Sequence, residues 1–205
     1  MQAAEFEYKK FNLNDLVDNY DYVLFGSDAI IAPFAYDESE ISFENKKMFY
    51  QELEKKVRNR RIYLSRKGAE KITSLNMDKP KNRFYSLNPN LVSTFGESDR
   101  LLGIQDFCSD IHKKEAYNQT SLLYENYSRD FSFNKEEEDL IFLGVALSKN
   151  KSSRNNYVSI VANNPNLSHC YQSLRHYLDK DLNVDFYKRV HDNSFVNRPN
   201  NVLTI

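Results

Sequence analysis

Asp28, Asp139, Asn164 and Glu70 carry the oxygen atoms that could do metal-assisted chemistry in this chain. Asp28 follows the run Asp21-Tyr-Val-Leu-Phe25, and Asn164 follows Tyr157-Val-Ser-Ile-Val-Ala162. If both runs are parallel strands, the two residues lie at carboxyl ends, where open α/β sheets collect their ligands. Asp139 opens the helix before the second run and could face them, and Glu70 is a further candidate. Oxygen donors brought together there suit Mg²⁺ or Mn²⁺, which activate water and stabilise charge on a phosphodiester. Each acid also has a structural reading: Asp28 as a turn residue, Glu70 as a solvated helix residue, and Asp139 as a first-turn carboxylate favoured by the helix dipole. The neighbouring Glu136, Glu137 and Glu138 read as a solvated acidic cap.

The elements that must position these residues are legible from periodicity. Asp21 to Phe25 is a short β-favouring run ending at Gly26-Ser27-Asp28, followed by the apolar Ala29-Ile30-Ile31-Ala32. From Glu44 to Arg58, Phe49, Leu53 and Val57 recur every four residues, which predicts an amphipathic helix. Arg61 to Leu64 is a second short strand, and Ser65 can cap a helix running from Arg66 to Thr73. Residues 76–98, with Pro80 and Pro89, read as a loop or insertion, with helices resuming over Asp99 to Lys114 and Tyr117 to Tyr127. Asn134 is a good N-cap for a helix whose stripe is Leu140, Leu143 and Leu147. A buried-type strand at 157–162, a helix at 166–178 and a strand at 184–190 complete the alternation, which points to a largely parallel α/β sheet.

Composition narrows the function classes. The chain has 205 residues, 14 Tyr and 14 Phe, enough to bury a core in one domain despite a mean hydropathy of -0.69. Net charge is -1, so nucleic-acid affinity would need a local patch. Cys108 and Cys170 make no paired spacing, which suits a reducing cytoplasm. The first residues show no signal-peptide pattern, and no apolar run approaches the roughly 20 residues that cross a bilayer. His169 and Cys170 adjoin on a helix and share no face, and the chain has neither a glycine-rich nucleotide loop nor a serine-hydrolase elbow. The basic residues Lys55, Lys56, Arg58, Arg60, Arg61, Arg66, Lys67 and Lys71 flank the second strand, where a phosphate backbone could approach, although a solvated helix face explains much of them. Phe84, Tyr85 and Phe95, near Lys79, Lys81 and Arg83, are candidates for base stacking, with core packing the competing reading.

Four segments, in order and spacing, resemble a PIN-like domain, a family of metal-dependent nucleases. Tyr22-Val-Leu-Phe-Gly-Ser-Asp-Ala-Ile-Ile-Ala32 is similar to that family's opening strand and the aliphatic run after it. Arg61-Ile-Tyr-Leu-Ser-Arg-Lys-Gly-Ala-Glu70 resembles its second strand and acid-bearing helix, matching Glu70. Asp139-Leu-Ile-Phe-Leu-Gly-Val-Ala146 keeps the spacing of an Asp seven residues before a small Ala, and Ile160-Val-Ala-Asn-Asn-Pro-Asn-Leu167 resembles the fourth segment. Two of the four usual acids are replaced: Gly26 stands where the first Asp belongs, and Asn164 where another acid is usual. Asp28 lies two residues past the first position, and Asn164 offers only a neutral carbonyl oxygen.

The resemblance implies a single three-layer α/β/α domain over 1–205, its core at about 20–190 with an insertion near 76–98. It also implies an endoribonuclease in which Asp28, Glu70 and Asp139 are catalytic and, with Asn164, hold Mg²⁺ or Mn²⁺. Ser27, Arg61, Arg66, Lys67, Lys81 and Arg83 would hold single-stranded or structured RNA. A toxin or host-defence setting, a protein partner or antitoxin, and a homo-oligomer fit the same resemblance. The missing acids favour the alternative of a degenerate module that binds RNA or a protein without cleaving.

Overall fold

The computed structural model describes residues 10–31, 43–77, 90–127, 133–149, 156–164, 166–178, 182–189 and 194–197. In chain order the elements are β1 (Lys10–Phe11), α1 (Leu13–Asn19), β2 (Tyr22–Phe25), α2 (Ser27–Ile31), α3 (Phe43–Asn59), β3 (Ile62–Ser65), α4 (Arg66–Met77) and α5 (Leu91–Glu97). They continue with β4 (Leu101–Leu102), a 3₁₀ turn (Ile104–Phe107), α6 (Ile111–Tyr127), α7 (Lys135–Ser148), β5 (Tyr157–Val161), α8 (Asn166–Arg175), β6 (Asn183–Arg189) and β7 (Phe195–Asn197).

The seven strands form one sheet in the order β1-β7-β6-β5-β2-β3-β4. Five are parallel, from β6 through β5, β2 and β3 to β4, while β7 and β1 add an antiparallel edge. Counted along the chain, the parallel strands run 3-2-1-4-5, a doubly wound order whose direction reverses between β2 and β5. Crossovers long enough for a helix make such pairing accessible, and helices then cover both faces. Val23, Phe25, Ile62, Leu64 and Val161 pack against the layer of α1 to α5. Leu24, Val158, Ile160, Val184 and Phe186 pack against α6, α7 and α8. The alternation of Val23, Leu24 and Phe25 between the two clusters is the period-two pattern of a strand covered on both sides. α7 is buried from Asp139 to Ser148, which explains why its apolar residues exceed one stripe.

Several expectations change. Residues 78–89 of the expected insertion, with Lys81, Arg83, Phe84 and Tyr85, lie outside the described residues. Leu91 to Glu97 is a helix rather than loop, and Phe95 is fully buried in the core, so its ring is not offered to bases. The helix expected from Asp99 is instead the strand β4 and a 3₁₀ turn. Asp99, at φ 54, reverses the chain after α5 and delivers Leu101 to pair beside β3. No Gly or Pro interrupts Ile111 to Tyr127, which form one helix instead of two. Among the described residues no helix is long and apolar enough to cross a membrane.

Gly144 marks how closely α7 lies on the sheet. A Cβ there would stand 2.6 Å from Ile160 Cδ1 and 3.3 Å from Ile160 Cγ1. Gly144→Ala gains about 1 kcal/mol of helix propensity but overpacks a full interior, at about 1–3 kcal/mol. A net loss of about 1 kcal/mol is expected in urea unfolding; a more stable variant would show that α7 has room to spare.

Candidate functional site

The carboxyl ends of β2 and β5 meet at the reversal of strand order, and Asp28 spans them. Asp28 Oδ2 accepts the backbone N–H of Asn163 (2.8 Å) and of Asn164 (3.1 Å), while Oδ1 accepts that of Ala29 (2.6 Å). One carboxylate thus joins the first turn of α2 to the loop between β5 and α8 and satisfies donors that neither element can satisfy alone. Burial raises the Asp28 pKa from its ordinary value, the N–H bond from Asn163 opposes that rise, and the nearby Glu136 carboxylate adds to it.

Glu136 is the acid that the sequence reading missed. It is buried instead of solvated, at 6% relative exposure. Its Oε1 accepts Ser27 N and its Oε2 accepts Ser27 Oγ, each at 2.5 Å. Lys71 Nζ donates to the same Oε2 at 3.2 Å. Gly68 makes the approach possible, because a Cβ there would stand 2.8 Å from Glu136 Oε1 and 2.9 Å from Ser65 Oγ. Ser65 in turn caps α4 by accepting Gly68 N at 2.9 Å.

Asp139, at 5% exposure, accepts Lys67 Nζ at 3.0 Å and the Tyr117 hydroxyl at 2.9 Å, both on Oδ1. Burial and this carboxylate both push the Tyr117 phenol upward, so it stays a donor. Asn164 ties the same region together: its Nδ2 donates to Glu137 Oε1 (2.9 Å) and its Oδ1 accepts Asn166 N (2.9 Å) at the start of α8. Glu70 lies on the exposed side of α4, away from the face that carries Gly68, Ala69 and Ile72.

No protein-family model, curated protein or solved structure matches this chain.

The structure therefore gathers Asp28 and Asn164 at one loop, adds Glu136 through Ser27, and ties Asp139 to α4 through Lys67. Glu70 does not join them. As arranged, most of these donor oxygens are engaged by the protein itself, which disfavours a divalent ion. Both Asp28 oxygens and both Glu136 oxygens are engaged by protein donors, and the Asn164 carbonyl oxygen is spent on a helix cap. Among the described residues no group of three or more His, Cys, Asp or Glu side chains could hold a metal ion; Mg²⁺ usually takes one or two carboxylates and completes a near-octahedral shell with water. Of the residues expected to hold nucleic acid, Ser27 is fully buried. Arg66 is paired with Asp106 at 2.9 Å, and Lys67 with Asp139. Arg61 precedes β3 at its amino end, a strand length from the site, with its guanidinium 5.3 Å above the Tyr22 ring.

Asp28→Asn replaces one acceptor oxygen by a donor facing backbone N–H groups, and a loss of about 1–3 kcal/mol in urea unfolding is expected. Because the folded-state pKa of Asp28 is raised, the folded chain takes up this proton at a higher pH than the unfolded chain. Asp28 then favours folding as pH falls through its folded value and does not add to acid unfolding. Gly68→Ala gains about 1 kcal/mol of helix propensity but costs about 1–3 kcal/mol by displacing Glu136 or Ser65, so a net loss of about 1 kcal/mol is expected. A neutral result at either position would show that the carboxylates are not held as described.

Proposed function

We propose that this chain is a PIN-like module that acts by binding RNA rather than by cleaving it. The observation that carries this reading is the closure of the Asp28 carboxylate. Its oxygens are bonded to the N–H groups of Ala29, Asn163 and Asn164, while the flanking acid positions of the resemblance hold Gly26 and Asn164. A nuclease of this kind needs carboxylate oxygens turned toward a metal-bound water; those of Asp28 are turned toward the backbone. The PIN-like assignment rests on the resemblance; the 3-2-1-4-5 order of the parallel strands, with acids where that order reverses, is the general pattern of doubly wound α/β sheets and is compatible with it. RNA as the ligand rests on the resemblance.

A metal-dependent endoribonuclease using Mg²⁺ or Mn²⁺ is the second reading, and one observation favours it. Lys67 and Lys71, which engage Asp139 and Glu136, are 41% and 43% exposed along their side chains and have room to swing away.

End-labelled single-stranded RNA incubated with the chain in Mn²⁺, Mg²⁺ or EDTA separates the two. Retained RNA of full length under all three conditions is expected. Cleavage that EDTA stops and that Asp139→Asn abolishes would establish the second reading instead, and a chain that neither holds nor cuts RNA would direct the search to a protein partner.

A further inference from the structure

The carboxylates at the carboxyl end of the sheet have a charge problem that the fold must solve. Glu136 and Asp139 lie one turn apart on one face of α7, both nearly buried, and Glu136 is close enough to Asp28 to disfavour its ionised form. Buried carboxylates persist only with partners. In metal-dependent phosphodiesterases a divalent ion supplies the positive charge. In this chain two ammonium groups supply it. Lys67 and Lys71 are four residues apart on one face of α4, and they meet Asp139 and Glu136, three residues apart on α7, at 3.0 and 3.2 Å. Together they bring two positive charges, the charge of one Mg²⁺ ion.

We infer that Lys67 and Lys71 are resident counter-cations that stand in for a divalent ion and clasp α4 to α7. This inference deepens the non-cleaving function proposed above and rests on it. The remaining neighbours fit the same reading. Ser27 donates twice to Glu136, Tyr117 donates to Asp139, and Lys67 Nζ also reaches the Lys135 carbonyl oxygen at 3.4 Å, so the clasp touches α2, α4, α6 and the start of α7. Gly68, between the two lysines, lets the helices approach until Glu136 reaches Ser27. Both lysine stems remain partly exposed, which lets each ammonium keep water while it serves a buried carboxylate.

The test is a double-mutant cycle on the full chain, read by urea unfolding at fixed ionic strength with and without Mn²⁺. It compares the unaltered chain, Lys67→Met/Lys71→Met, Glu136→Gln/Asp139→Asn, and all four substitutions together. Each pair alone is expected to raise the unfolding constant. The fourfold variant should be at least about tenfold less destabilised than the product of the two pairs, because its opposite charges leave together. Millimolar Mn²⁺ should leave the unaltered chain's midpoint where it is. Additive effects, or a midpoint raised by Mn²⁺, would overturn the inference. If a pair fails to fold, the single cycle of Lys67→Met with Asp139→Asn reads the same coupling at one ion pair. Additive variants in a chain that binds RNA without cutting it would overturn the clasp and leave the functional reading standing. Coupled variants in a chain that cuts RNA with Mg²⁺ present would remove that reading and, with it, the claim that the lysines stand in for a divalent ion, leaving only the ion pairs between α4 and α7.

Discussion

Four consecutive carboxylates, Glu136 to Asp139, open a helix that is buried from Asp139 onward, and the two buried among them, Glu136 and Asp139, must find partners before that helix can enter the interior. They find partners on different elements. Glu136 takes Ser27 at the start of α2 and Lys71 on α4. Glu137 accepts the N–H of the N-cap residue Asn134 and the side-chain amide of Asn164. Glu138 bonds the Tyr124 hydroxyl on α6, and its charge adds to the burial that pushes the Cys170 thiol up to about 12. Asp139 takes Lys67 and Tyr117. Removing a partner leaves a nearly buried carboxylate short of its counter-charge, at a cost that solvent around the half-exposed lysines holds below the about 3–5 kcal/mol of a fully buried pair, so the elements around this turn are mutually dependent.

The same constraint explains where the polar groups of the sheet sit. β2 and β5 are central strands buried on both faces, so polar residues concentrate where the strands end: Ser27 and Asp28 after β2, Asn163 and Asn164 after β5. Asp28 then acts between the two strand ends much as an N-cap residue acts within one helix, collecting backbone N–H groups that have no partner in the ladder. A further charge is buried at the carboxyl end of β6. Arg189 stacks over Phe49 at 3.4 Å and donates to the carbonyl oxygens of Ala29 and Ile30, holding α2 from the side opposite α7.

Much of this was legible in the sequence because its signals were local. Phe49, Leu53 and Val57 mark α3, Asn134 caps α7 with both capping-box bonds in place, and the run from Tyr157 is a strand. β4, with two residues, and β7, with three, are too short for a period to show; they exist because β3 and β6 offer open edges. The site was read less well, for a reason that the helix period exposes. Glu136 lies four residues before Leu140 and seven before Leu143, on the very stripe that faces the core, so it had to point inward with them. Counting the acidic run as one solvated cap hid that position. Glu70 fails the same count on α4, where Gly68, Ala69 and Ile72 face inward and position 70 does not.

Amide hydrogen exchange at Asn163 and Asn164 reads the engaged carboxylate most directly, since both N–H groups lie past the end of β5 and owe their protection to Asp28. Exchange about as slow as that of the β5 amides is the expected result, with protection lost at both residues in Asp28→Ala while the β5 strand stays protected. Exchange at both sites as fast as in an exposed loop would mean that the carboxylate is not held by the backbone and is available for other chemistry.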